Sequence, residues 1–398
     1  MWIAITFFQF ILIQQYLFQM HIDLKINKIA IALATLIIVS GSMTRAQKLI
    51  DPKATRETTS LYKNMHELAK KHTLFGHQDA TDYGHGWRDE PGRSDVKSVV
   101  GSHPAVIGVD IAPLTGRSAE FIKKSEDRLR KLVADTYARG GITTISWHFS
   151  NPVSGGGFYW KDSVSLPAVK YIIPGGKNHQ QYKVILQGLA GWFKSLKGTD
   201  GEQIPLIFRP YHEFDGDWFW WGKAHCTPDE FKSLWQFTAG YLRDSLDVHN
   251  LVYAFSPDNK FNSVAEFTER YPGNEWVDLV GMDNYGDMGR DGKYNLEQAI
   301  KKLKIVNDFA LKNKKLAAFT ETGLESIVNP EWYTDVLLKV LQKNKLNLAY
   351  VLVWRNDTQS PTHYYAPFPG HAAVPDFKKF YDNKYTLFEG DLKNIYGR

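Results

Sequence analysis

The sequence predicts a single (β/α)₈ barrel. From residue 73 onward, eight short apolar runs rich in β-branched residues recur, each ending in polar residues and followed by a longer stretch with helical spacing. Such alternation argues for a parallel sheet covered by helices, and eight is the number of βα units at which that sheet closes. No linker, low-complexity tract or composition shift interrupts residues 47–398, so they read as one domain of catalytic size.

In chain order, residues 1–46 read as a targeting segment. Lys25 and Lys28 precede the uncharged apolar run Ile29–Val39, and small or polar residues then lead to Thr44-Arg45-Ala46, an A-x-A-like cleavage site before Gln47. The run is too short for a transmembrane helix, which needs about 20 residues. Met1–Met20 is uncharged, rich in Phe, Ile and Leu, and lies upstream of a signal that already looks complete from Met20, which is therefore the expected true start. A tandem or uncleaved anchor is the competing reading. With no cysteine near the cleavage site, lipid attachment is excluded, and the expected mature protein is exported to periplasm or medium without a membrane partner.

The expected strands are Thr73–Asp79, Ala105–Ile111, Ile142–His148, Ile204–Tyr211, Leu251–Ser256, Val277–Met282, Leu316–Thr320 and Ala349–Trp354. Between the second and third, Ala119–Arg139 reads as a helix with Phe121, Ile122, Leu129, Leu132, Val133 and Tyr137 on its apolar stripe. Pro228-Asp229-Glu230 opens another, capped by Thr227. Gly155-Gly156-Gly157 lacks the Lys-Ser/Thr of a phosphate loop and reads as a flexible cleft rim.

Composition narrows the functional classes. Of a net charge of +5, Lys25, Lys28 and Arg45 against Asp23 place +2 within residues 1–46, leaving too small a surplus to argue for a nucleic-acid partner. Cys226 is the single cysteine, so it can form no internal disulfide or cysteine-based metal site. Tryptophans bunch near His and carboxylate residues, and indole faces beside carboxylates suit sugar rings.

On a barrel, residues at the C-terminal ends of the strands share the face where active sites lie. Nearly every strand supplies some: His77 and Asp79, Asp110, His148, Arg209 with His212 and Glu213, Asp258, Asp283 with Tyr285, Glu321, and Trp354 with Arg355. Glu213 and Glu321 close the fourth and seventh strands, opposite one another across the barrel mouth. Glycosidic cleavage needs such a pair, a protonated acid at the leaving oxygen and a second carboxylate facing it. Glu325, past Gly323, reads as an exposed or helix-start carboxylate, and His77, His85, Asp110 and Asp258 as candidate site lining. A metal hydrolase would use His77, His148, His212 and Asp258, but no His-x-His or His-Glu-x-x-His occurs, so no metal or cofactor is expected. A non-catalytic glycan-binding barrel would keep the tryptophans and lose a carboxylate, whereas both are present.

Five motifs then stand in order: Trp147-His-Phe-Ser-Asn-Pro152, Arg209-Pro-Tyr-His-Glu-Phe-Asp-Gly-Asp-Trp-Phe-Trp-Trp221, Gly281-Met-Asp-Asn-Tyr285, Thr320-Glu-Thr-Gly323 and Trp354-Arg-Asn356. Together they resemble glycoside hydrolase family 26, the β-mannanase family, over roughly Leu74 to Asp357. The resemblance implies Glu213 as acid/base and Glu321 as nucleophile of a retaining enzyme. It implies that His212 addresses the sugar 2-hydroxyl, that Tyr285 hydrogen-bonds the nucleophile, and that Trp218 and Trp354 are sugar platforms on the aglycone side and under the attacked ring. His148 matches the histidine after the third strand, and Arg209 and Arg355 match positions that order the site through charge-assisted bonds. Trp220 and Trp221 read either as further platforms or as core. The implied substrate is a mannan, galactomannan or glucomannan. Mannobiose release from chain ends, mixed-linkage β-glucan and β-1,3-xylan stay open within the family, and the oligomeric state is undetermined.

Overall fold

The computed structural model describes residues 13–25 and 48–397. Residues 13–25 are helical, and the remainder of the proposed targeting segment, including Ile29–Val39 and the cleavage site, lies outside the described residues. The chain separates into two compact units, with the second beginning at Lys48. Among the described residues no helix is long and apolar enough to cross a membrane.

In the second unit eight parallel strands form a closed barrel: β1 Thr73–Gln78, β2 Val106–Asp110, β3 Ile142–Trp147, β4 Leu206–Pro210, β5 Leu251–Phe255, β6 Leu279–Asp283, β7 Leu316–Thr322 and β8 Leu348–Val353. Each pairs with its neighbour in sequence, and β8 returns to β1 with Leu74 opposite Tyr350 and His77 opposite Val353. A short strand, Thr386–Leu387, adds to the start of β1. Every expected strand is present with ends within two residues. Runs such as Leu279–Met282 are buried on both faces, which is why they are continuously apolar instead of alternating.

The helices between strands begin where the sequence places them. Helix Ala119–Ala138 is capped by Ser118, whose hydroxyl accepts from Phe121 N, and Pro228–Gly240 starts with a complete capping box between Thr227 and Glu230. One expectation fails: Phe121 is 49% exposed, lying near the Arg117 guanidinium instead of in the core. It sits in the first turn of its helix, whereas Leu129, Val133 and Tyr137 further along are buried. The glycine loop also differs from a merely flexible rim. Asn151 N donates to Gly156 O, Gly157 N donates to Asp162 O, and a side chain on Gly156 would fall 2.3 Å from Asp162 O. Close backbone packing therefore requires glycine at 156.

Two departures from regular strand geometry lie at the C-terminal ends. Pairing of β6 with β7 shifts by one residue between Met282 opposite Phe319 and Asp283 opposite Glu321, a bulge at Thr320 that re-aims Glu321. Beyond β4, Tyr211 (φ 50°) and Glu213 (φ 54°) both take the left-handed conformation, uncommon for residues with side chains and found where surrounding structure enforces it.

Candidate active site

Glu213 is carried by the strained turn after β4. Its backbone N–H donates to Ser256 O beyond β5 (3.0 Å), and Trp218 Nε1–H donates to its Oε2 (2.7 Å). Removal from water pushes the Glu213 carboxyl well above the ordinary carboxylate pKa, and the negative charges of Asp283, Asp258 and Glu321 push it further; the Trp218 bond works in the opposite direction. A proton is therefore retained on Glu213 where an ordinary glutamate would have lost it.

Glu321, 3% exposed at the bulged end of β7, meets different neighbours. An Arg209 guanidinium nitrogen donates to its Oε1, and Tyr285 Oη–H donates to its Oε2 (3.0 Å). Arg209 also donates to Asp283 Oδ2 (2.8 Å) and Ser256 Oγ (3.1 Å), and Thr320 Oγ1–H donates to Asp283 Oδ1 (2.6 Å). Burial disfavours charge on Arg209, yet the flanking carboxylates of Asp283 and Glu321 outweigh it and raise the guanidinium pKa. The result is a buried, bidentate cation binding two carboxylates from adjacent strands. His212, Asp283 and Glu321 have possible metal-ligating atoms within 4.8 Å of one another, but Arg209 already bridges the two carboxylates with a fixed positive charge. Gly323 completes the turn: its φ is 143°, and a side chain there would fall 2.4 Å from the Tyr365 ring.

His148 and His212 meet edge to face, with their Nε2 atoms 3.2 Å apart and their rings at 87°. His148 Nδ1 lies 2.7 Å from Asp110 Oδ2 at the end of β2. Trp354 stands edge-on to His148 with ring centroids 5.9 Å apart. Trp218 and Trp354 are partly exposed, whereas Trp220 and Trp221 are fully buried and belong to the core. Their indole N–H groups donate to Phe149 O and His212 O respectively, so they brace the loops behind the site.

Arg355 makes its charge-assisted bond with Asp357 and not with either glutamate. The bond is 2.6 Å, and the guanidinium lies over the Tyr83 ring next to Asp79, with its charge also acting on Tyr159 and Tyr365. It is the second residue after β8, near Tyr83 beyond the end of β1. Of the candidate lining residues, Asp110 joins the site through His148, and Asp258 adds negative charge near Glu213. His85 instead stacks on Phe368 at 3.8 Å, and His77 is buried in the barrel, where lack of water lowers its pKa to about 4. Glu325 is exposed and paired with His363, at the start of a short 3₁₀ turn.

Two features escape sequence reasoning. Asp283, the second partner of Arg209, was legible only as a strand-end acid within its motif. The other is an aromatic wall: Phe158-Tyr159-Trp160 from the insert after β3 forms an antiparallel bridge at Tyr159 with Phe219, and Trp160 N donates to Trp218 O (2.7 Å). Tyr159 stacks on Phe219 and is 40% exposed, and burial followed by the charge of Glu213 raises its hydroxyl pKa. Three consecutive aromatics inside a polar insert were the signal.

Residues 50–365 match the model of glycosyl hydrolase family 26. The chain belongs to that family. Among solved family 26 structures, GH26C from Muricauda sp. is 38% identical with a TM-score of 0.81, over 87% of this chain and 95% of that one. The GH26 β-mannanase from Bacteroides ovatus is 40% identical with a TM-score of 0.79, over 86% and 97%. A mannan endo-1,4-β-mannosidase of Bifidobacterium adolescentis is 32% identical over 87% of this chain, which spans 36% of that much longer protein. The family 26 barrel thus accounts for nearly all of the second unit.

Proposed function

We propose that this family 26 chain is an exported, retaining β-mannanase that hydrolyses internal β-1,4-mannosidic bonds of mannans, galactomannans or glucomannans. The observation that carries the chemistry is the contrast between its two glutamates: Glu213 is held toward its protonated form, and Glu321 is held against a guanidinium and a phenol. Glu213 then protonates the departing glycosidic oxygen while Glu321 attacks the anomeric carbon, giving a glycosyl-enzyme. Glu213, now ionised, takes a proton from the water that displaces the sugar. Arg209 and Tyr285 hold both Glu321 oxygens so that the attacking lone pair keeps its direction. Trp354 and Trp218 offer apolar faces to successive rings, and the Trp218 indole also holds the acid in place. The choice of mannan is supported by relatives named mannan endo-1,4-β-mannosidase, in Bifidobacterium adolescentis and, at 26% identity, in Bacillus subtilis.

A timed product analysis on linear mannan, galactomannan, mixed-linkage glucan and β-1,3-xylan tests this reading. A mixed ladder of manno-oligosaccharides formed early is expected, with the first product the β-anomer by NMR. Mannobiose alone from the outset would replace internal cleavage with end release, activity confined to glucan or xylan would overturn the substrate, and an α-anomer would overturn the nucleophile. Export is tested by N-terminal sequencing of protein recovered from outside the cytoplasm, which should begin at Gln47.

A further inference from the structure

The positive charge of the barrel unit is concentrated in one stretch. Residues 163–199 hold five lysines, no arginine and no Asp or Glu. Of the net +5 on the chain, +2 falls within residues 1–46, so residues 47–398 carry a surplus of only +3, and outside this stretch they are net negative. The stretch lies in the connection from β3 to β4 and forms a short helix, Val169–Ile172, and a longer one, His179–Ser195. Gln181 Nε2 donates to Pro152 O (2.9 Å) and Asn151 Nδ2 donates to Leu166 O (3.1 Å), which ties it to the loop after β3.

Three of the lysines converge on tyrosine rings and not on acids. Lys170 Nζ and Lys177 Nζ lie 5.1 and 4.6 Å from the centroid of the Tyr171 ring, and Lys183 Nζ lies 5.2 Å from that of Tyr241. The two tyrosines are joined: Asn178 N donates to Tyr171 O (2.8 Å), the next residue His179 packs against Phe237, and Phe237 stacks on Tyr241. Acids on the neighbouring helices are already engaged, Asp229 with Lys232, Asp244 with Arg243, Glu126 with Lys123, and Glu230 with the Thr227 N–H. Among the described residues no carboxylate lies within ion-pair distance of Lys170, Lys177 or Lys183. Gly191 continues the side of the helix that carries Lys183 and Gln187, and a side chain there would meet nothing within 4 Å. Glycine inside a helix is destabilising and the fold does not require it at 191, so the backbone is left open to whatever lies along this side.

We propose that this face binds an acidic polysaccharide, a polymer of uronate residues, at a site separate from the catalytic cleft. Its ammonium groups pair with successive carboxylates, and the Tyr171 and Tyr241 rings offer apolar faces to the sugars that carry them. A phosphate polymer is a poorer fit, since its recognition favours the bidentate fork of arginine and the stretch has none. A bilayer is a poorer fit as well, because Leu186, Trp192 and Phe193 of the longer helix are buried in the protein and not presented for insertion. Single exposed ion pairs are weak, so binding draws on several pairs along one repeating chain. The face holds the enzyme on an acidic matrix while the cleft works on a neutral chain. This goes beyond the β-mannanase reading and does not depend on it.

The test is retention of the protein on immobilised polygalacturonate, expected at about 0.05 M salt and lost by about 0.5 M as the charges are screened. The triple variant Lys170→Gln/Lys177→Gln/Lys183→Gln should bind about tenfold more weakly, the product of three exposed ion pairs. Lys63→Gln/Lys301→Gln/Lys312→Gln removes the same charge from exposed positions elsewhere and should bind as wild type. Both variants should keep the wild-type melting temperature and rate on soluble mannan. Tyr171→Ala should weaken binding to polygalacturonate but not to polyglutamate, which has carboxylates and no sugar rings. Absence of retention, or equal loss in the two triple variants, overturns the proposal. Equal effects of Tyr171→Ala on both polymers replace the saccharide with a bare polyanion, and lysine-dependent binding to phosphatidylglycerol vesicles without retention on polygalacturonate replaces it with a membrane surface. A protein that binds polygalacturonate through these lysines but hydrolyses no glycan overturns the enzyme reading and leaves this one standing.

Discussion

The turn after β4 and the end of β7 each present one glutamate, and almost everything around the two differs. Glu213 rides a left-handed turn, meets one indole donor and faces three carboxylates; Glu321 rides a strand bulge and meets a guanidinium and a phenol. Identical side chains thereby meet different surroundings, and it is environment and not residue type that holds the Glu213 carboxyl toward its protonated form. Strain is placed accordingly, in the backbone at the acid and in the pairing register at its counterpart.

The comparison breaks most sharply under truncation of each glutamate. Glu321→Ala should lose on the order of 10⁴-fold or more in kcat on mannan and on an activated aryl mannoside alike, because no covalent step remains. Glu213→Ala should lose about 10²–10⁴-fold on mannan but still react with a dinitrophenyl mannoside, giving a burst and then a slow phase that azide accelerates. Bursts in both variants, or in Glu321→Ala alone, would reverse the roles. Arg209→Met comes next, since it strands Asp283 and Glu321 without their cation; breaking a buried pair in this way costs about 3–5 kcal/mol, readable as a lowered denaturation midpoint. A midpoint unchanged from wild type would mean that Arg209 does not hold the two carboxylates.

Tyr285→Phe is gentler, removing one hydrogen bond to Glu321 worth about 0.5–1.5 kcal/mol net. Turnover should fall about tenfold with the melting temperature lowered by no more than a few degrees, and unchanged turnover would remove Tyr285 from the site. The smallest effect is expected at Trp218→Phe, and its sign is fixed. The Trp218 bond lowers a Glu213 pKa that burial has raised, so removing it raises that pKa further. The protonated acid then survives to higher pH, and the alkaline limb of kcat/KM should move upward by less than about one unit. Movement downward would show that the indole favours the protonated carboxyl instead.

The barrel was legible in the sequence because strands buried on both faces leave continuous apolar runs, and the glutamates were legible because they end two of those runs. What joins them was not. Arg209 reaches Asp283 and Glu321 across 74 and 112 residues of chain, and the Thr320 bulge that aims Glu321 has no local composition cue. Arg355 shows the converse: a strand-end position locates a side chain at the mouth, but its direction depends on the neighbouring strand, here β1 with Tyr83 beyond it. Phe121 fits a helical stripe by spacing, yet in the first turn of its helix it stays exposed.

The ring closes between residues far apart in synthesis. Strands β2 to β7 can add one by one to a growing edge, but the other edge of β1 waits for Leu348–Val353, and its first residues wait for Thr386–Leu387. A nascent chain therefore carries an unpaired strand edge through nearly the whole of translation, a state prone to mispairing and to chaperone capture. Contacts of such long sequence separation also slow the final step of folding. A premature stop between β7 and residue 348 would yield not a smaller barrel but an open sheet with two exposed edges, destined for aggregation or proteolysis.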